Sequence, residues 1–239
     1  PGETDPAKSF RIAAWAKPWR SHAVFVSPSS EGFLQRGAVS APAMTGTLVN
    51  ALDAGETGRF DLENKAIVRL RGGELSSAPD IQLFSSANTI LIECASGAWE
   101  VLQFRTAVET SSDIWELSGL LRAQLGTEDA MNSGALPGAA FVALNGAVPA
   151  AGLNGNEAGI EMHWRVGPSG KDFTPQFFAE KVAAGGTRPL LPLAPVHLKK
   201  RLLANGDTEF SWVRRSRLDA DSWLGSDIPL AEAQENYRI

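Results

Sequence analysis

A chain of 239 residues can bury a sizeable core and fits roughly two or three small domains. Its 22 basic and 27 acidic residues leave a net charge of −5, which excludes bulk attraction to nucleic acid or to an anionic membrane surface. No apolar run approaches the roughly eighteen residues that a membrane-spanning helix needs, and a lone cysteine, Cys94, excludes an internal disulfide.

The 23 glycines and 14 prolines suit many turns between short strands. The chain opens at Pro1 rather than at a methionine and reads as a portion of something longer. Residues 1–20 read as an entry linker or docking arm. Phe10, Ile12, Ala13 and Ala14 would form one helical turn or an irregular packed segment, with Trp15 and Trp19 as anchors. His22 to Ser27 is a strand closed by Pro28, and Ala38 to Leu52 is a second extended stretch broken at Pro42 and Gly46. Polar turns follow, and then Ala66 to Arg71 alternates cleanly and stops at Gly72 and Gly73. Thr89 to Cys94 is another strand, in which Ile90, Leu91 and Ile92 make Cys94 a buried structural thiol rather than a nucleophile.

The stretch from Trp99 to Glu128 organises the rest. WEVLQF sets Trp99, Val101 and Gln103 against Glu100, Leu102 and Phe104, Glu109 to Asp113 supplies a polar turn, and IWELSGLL resumes with large apolar residues, which predicts a hairpin. Past Gly126, Ala139 to Leu144 is a strand between loose loops. The segment GIEMHWRV is another, with Met162 and Trp164 on one face and Glu161, His163 and Arg165 on the other. Phe173, Phe177, Phe178 and Val182 fall at helical spacing and predict a short helix over Lys171 to Ala184. Arg188 to Pro195 is a stiff proline-rich linker and marks a domain boundary. Val196 to Leu203, the turn Asn205-Gly206-Asp207, and Thr208 to Val213 then predict a hairpin, with Phe210 and Trp212 on the same side. The fold class expected is mainly β, in small β-sandwich or barrel-like domains.

Catalytic patterns are absent from the sequence. The three histidines, His22, His163 and His197, lie in separate predicted strands without metal-ligand spacing. Nucleophile-elbow, P-loop and dinucleotide patterns are missing as well. Asp219, Asp221 and Asp227 lack the ligand spacing and pivot glycine of a calcium loop. The expectation is therefore no enzyme, no cofactor and no metal. Lys199, Lys200, Arg201, Arg214, Arg215 and Arg217 form one basic cluster on adjacent strands. The acidic residues that follow favour a cross-linking surface within or between subunits over a nucleic-acid groove. Arg122, among Leu120, Leu121 and Leu125, needs a carboxylate or several carbonyls, and Glu116 and Glu128 are the partners nearest in sequence.

At LLRAQLGTE (120–128) and RRSRLDADSW (214–223), together with WEVLQF, IWELSGLL, the Ser-Ala-Asn-Thr stretch and the terminal IPLAEAQENYRI, the chain resembles a known family. It is similar to the C-terminal region of the large baseplate protein, also called the tail-tip or megatron protein, of siphovirus-like tails and phage-derived gene transfer agents. That family carries a glycoside hydrolase TIM-barrel-like domain elsewhere, so no glycosidase activity is expected of this stretch. The match covers most of residues 18–239, with Ala123 and Ala220 at positions that look like glycine in relatives. The resemblance implies a β-rich phage tail protein domain over 21–194 and an incomplete fibronectin type III-like sandwich over 195–239. In the sandwich, Ala194 to Leu198 and Thr208 to Arg214 would be the first strands, and Glu235 to Ile239 would enter the third. It also implies a virion structural protein, trimeric around the tail axis, joining the tail hub to distal, host-contacting parts. Such a protein is assembled in the bacterial cytoplasm and works in an extracellular particle during attachment and DNA delivery, without stable membrane insertion or direct nucleic-acid contact.

The alternative reading is a carbohydrate- or receptor-binding module of the tail tip, touching a host surface glycan or receptor through exposed Trp99, Trp164 or Trp223. A hydrolase would need a carboxylate pair about 5 to 9 Å apart in one cleft, and the sequence nominates none.

Overall fold

The computed structural model describes residues 4–171, 174, 176–218, 228–230 and 233–237. The protein is mainly β, and its central unit is a closed barrel. Six strands build it: β3 (Thr45–Leu48), β4 (Ala66–Arg71), β5 (Thr89–Glu93), β6 (Trp99–Ser111), β7 (Ile114–Gln124) and β8 (Ala140–Ala143). The cyclic order is β3-β4-β7-β6-β5-β8, antiparallel at every pairing, with β8 returning to β3.

Period-two alternation fills the barrel. Ala66, Val68 and Leu70 point inward from β4, Ile90 and Ile92 from β5, Leu102 and Phe104 from β6, and all are buried together with Leu48, Leu117, Leu120 and Phe141. On β7 the inward set changes parity, from Trp115 and Leu117 to Leu120 and Arg122. Gly119 stands at the change with φ +64, a conformation that a side chain at this position would oppose. That switch is what turns the Arg122 side chain into the barrel. Outside the barrel, α2 (Asp80–Leu83) and α3 (Glu128–Asn132) cover β6. Gln103 donates to the carbonyls of Leu83 and Ala87, and Thr127 Oγ1 accepts from the Val101 N–H.

A second sheet is built from both sides of the barrel in sequence. It contains β1 (His22–Ser27), β2 (Leu34–Val39), β9 (Met162–Pro168) and β10 (Ala179–Ala183), in the order β10-β9-β1-β2, so the barrel is an insertion between β2 and β9. Val24, Val26, Val39, Met162 and Trp164 form its core. The N-terminal arm begins with α1 (Pro6–Ser9) and lies on that core through Phe10, Ile12, Ala14 and Trp19, with the Phe10 ring 4.9 Å from Trp164. Trp15, the other expected anchor, is 38% exposed, and Phe10 takes its place. A last sheet is the hairpin of β11 (Val196–Leu202) and β12 (Thr208–Val213).

Several expected elements need correction. The extended stretch assigned to 38–52 divides into β2 and β3, with β2 starting earlier, at Leu34. The polar turn of the long hairpin is shorter than the five residues expected: β6 continues to Ser111, and Ser112 and Asp113 make the turn, with Asp113 at φ +60. Among the described residues of 171–184 no helix forms, because Ala179 to Ala183 pair with Val166 back to Met162 and supply backbone partners to the edge of β9. Phe178 packs edge-on against Phe25 at 5.7 Å; Phe173 and Pro175 lie outside the described residues. Of the third strand expected of the terminal unit, Glu235 to Tyr237 carry no strand, and Arg238 and Ile239 lie outside the described residues.

Candidate functional site

The chemically densest point is one end of the barrel interior, where β6 begins and β7 ends. Arg122 is fully buried, and its guanidinium forks onto Glu100, Nε to Oε1 at 2.8 Å and Nη2 to Oε2 at 2.9 Å. Its Nη1 donates to Asp61 Oδ2 at 3.1 Å. The Ala123 N–H gives Glu100 a further bond of 3.0 Å, which offsets the roughly 1–2 kcal/mol that a left-handed alanine, here at φ +53, costs. Asp61 is held by the N–H groups of Glu63 and Asn64 and by the Asn64 amide, and its backbone pairs with Leu120. Gly55 roofs the group: a Cβ there would lie 2.1 Å from Asp61 Oδ2 and 2.7 Å from Arg122 Nη1.

Burial alone would lower the Arg122 pKa, but the bonds and charges of Glu100 and Asp61 raise it above the usual arginine value. Burial alone would raise the Asp61 carboxyl, yet the hydrogen bonds from Asn64, Arg122 and Glu63 together hold it below the ordinary range. Cys94 is buried nearby, and burial, with the Glu100 charge added, pushes its thiol up and keeps it unreactive. The group is a bonded, water-excluded plug with both carboxylates engaged by one guanidinium. Its geometry suits fixing the barrel end.

The partners expected for Arg122 are thereby corrected. Glu116 is on the outer surface, with Lys65 Nζ at 2.7 Å, and Glu128 pairs with Arg215. Pairing of β6 with β7 carries Glu100 to Arg122, and the bridge from Asp61 to Leu120 carries Asp61 there, so the partners are set by strand register rather than by proximity along the chain. One signal was legible: Glu100 shares its face of WEVLQF with Leu102 and Phe104.

The opposite barrel end is a shallow depression of about 150 Å³, lined by Met44, Leu75, Asn88, Ile90, Phe104 and Ala143 among others. That is below the roughly 300 Å³ at which small-molecule sites begin. Among the described residues, no group of three or more His, Cys, Asp and Glu side chains could hold a metal ion. No helix among them is long and apolar enough to cross a membrane.

Two of the three tryptophans expected to form a platform are taken up by packing. Trp164 is 5% exposed and donates its indole N–H to the Ala183 carbonyl, and Trp99 is half-buried against Ala43, Val142 and Val148. Trp223 lies outside the described residues.

The basic cluster is divided. Lys199, Lys200 and Arg201 project from β11 into solvent, and Arg201 pairs with Glu209 across the hairpin. Arg214, Arg215 and Arg217 follow β12 and act as braces within the chain. Arg214 meets Glu235 at 2.9 Å and the Ile228 carbonyl, and Arg215 meets Glu128 and the Ala194 carbonyl. Arg217 donates to the carbonyls of Leu125, Arg188 and Leu191. Their acidic partners among the described residues are Glu128 and Glu235, and the aspartates Asp219, Asp221 and Asp227 lie outside the described residues.

The fold and this site define a scaffold class: a closed antiparallel barrel filled by apolar side chains and plugged at one end by a buried ionic group. Residues 43–142 are similar to the family described as Rcc01698-like, C-terminal, a match that runs from just before β3 to the penultimate residue of β8 and so coincides with the barrel. None of the curated proteins is a significant match to the chain.

Proposed function

We propose that the chain is a structural module of a phage-like tail baseplate, the C-terminal region of a tail-tip protein of the megatron kind found in gene transfer agents and siphovirus-like tails. In this reading three copies surround the tail axis and join the hub to the distal, host-contacting parts. The observation that carries it is the coincidence of the family match with a barrel whose interior is filled. Side chains fill the barrel interior, and the depression at the end opposite the plug, about 150 Å³, is small for a ligand site. The sequence resemblance supplies the rest of the argument.

The test is the solution mass of residues 1–239 by sedimentation or light scattering, beside cryo-electron microscopy of the intact particle. A trimer, or a monomer occupying threefold positions on the tail axis, is the expected result. A monomer with no density in any particle overturns the reading.

A further inference from the structure

Among the described residues, the terminal hairpin buries no side chain of its two strands. Nearly every side chain of β11 and β12 is exposed, including Leu198, Leu202 and Phe210. The described polar contacts between this region and the barrel lie at the turn between β7 and α3, residues 125–129. Arg188 donates to the Gly126 carbonyl at 3.0 Å and forks onto the Asp129 carboxylate at 2.7 and 3.1 Å. Arg217, from the far side of the hairpin, reaches the Leu125 carbonyl at 3.1 Å and ties back to the carbonyls of Arg188 and Leu191 at 3.2 and 3.3 Å. Arg215 engages Glu128 and the Ala194 carbonyl. Leu193, lying over Gly126, supplies an apolar contact at this junction.

We propose that Arg188, Arg215 and Arg217 form a polar latch on residues 125–129, which holds the hairpin at the plugged end of the barrel and opens to let it swing as a unit. The three guanidinium groups all come from residues 188–217, and their described barrel-side acceptors all lie on one turn. Two of the acceptors are carbonyls of the left-handed residues Leu125 and Gly126, at φ +58 and +79. The Arg188–Asp129 and Arg215–Glu128 pairs are partly open to solvent, with side-chain exposures of 33%/65% and 29%/22%. Pairs of this kind are individually weak and screened by salt. Pro189, Pro192 and Pro195 stiffen the connection, so an opened latch moves the hairpin on a lever rather than on a loose tether. The inference concerns motion within the chain and holds whatever particle the chain serves.

The experiment places spin labels on the intact chain through Ser112→Cys, at the tip of the barrel hairpin, and Asn205→Cys, at the tip of the terminal one. Distances are measured at about 0.1 M and about 1 M salt, between which the screening length falls from about 10 to about 3 Å. The wild-type background should give one narrow distance distribution at low salt and a broad one at high salt. Arg188→Ala with Arg217→Ala should give the broad distribution at both, with the thermal midpoint of the barrel unchanged. A distribution that stays narrow in the double variant, or is already broad in wild type at low salt, overturns the latch. So does a lowered barrel midpoint in the double variant, because the arginines would then belong to the folding of the barrel.

Discussion

The barrel and the terminal hairpin are made of the same kind of strand and are stabilised in different ways. In the barrel every strand has two neighbours, closure removes the edges, and the inward set from β4, β5 and β6 becomes a core with almost no solvent contact. In the hairpin both strands are edges, nearly every side chain is exposed, and the polar contacts to the barrel among the described residues are made by guanidinium groups. A two-stranded sheet is marginal by itself in water. Closure, rather than strand propensity, therefore separates the rigid part of this molecule from the part that can move. The same contrast applies to charge: an ionic group inside the barrel is locked by several bonds, whereas those at the hairpin are part-solvated.

The largest test of that contrast is Arg122→Met. It removes the guanidinium that engages both Glu100 and Asp61 and leaves two carboxylates in the barrel end without that partner, a change that typically costs about 3–5 kcal/mol. Urea unfolding should show a much lower midpoint, and a loss below about 1 kcal/mol would mean that the plug is not holding the barrel.

A pH series on the same pair of proteins sharpens the point. In the wild type the Asp61 carboxyl is held below its unfolded value, so its stabilisation is present above the ordinary aspartate range and is lost as pH falls through the depressed value. In Arg122→Met the sign reverses near the acid end: a proton taken up by the orphaned Asp61 carboxylate relieves its buried charge, and mild acid should narrow the gap between variant and wild type. Denaturant midpoints from neutral to acid pH check this, and parallel curves for the two proteins would count against it.

Much of the barrel was legible because its strands obey simple alternation. Ala66 to Arg71 was bounded by a clean pattern and paired glycines, and the Trp99 hairpin by large apolar residues around a polar turn. Periodicity describes one strand at a time, however, so it left the order β3-β4-β7-β6-β5-β8 and its closure unread. The ionic plug depended on register instead, since Glu100 meets Arg122 across the β6–β7 pair and Asp61 joins them through its bridge to Leu120, and alternation within one strand sets neither. The expected helix at 171–184 failed for a related reason. Phe177, Phe178 and Val182 do have helical spacing, but the unpaired edge of β9 offered Ala179 to Ala183 a ladder, and pairing outweighed the weak local preference.

The smallest effect belongs on the hairpin. Leu202 is 72% exposed at the end of β11, opposite Thr208, and Leu202→Ser therefore removes little buried apolar surface. Its effect on the urea midpoint should stay within about 0.5 kcal/mol, as for an ordinary surface position. The same exchange at Leu102, on the wall of the barrel with no exposed surface, replaces a core side chain with a hydroxyl and should cost at least the roughly 2–5 kcal/mol of a large-to-small core change. Were the two substitutions to cost the same, the hairpin would have to be packed in solution against something as dry as the barrel interior, and the latch would not be what holds it.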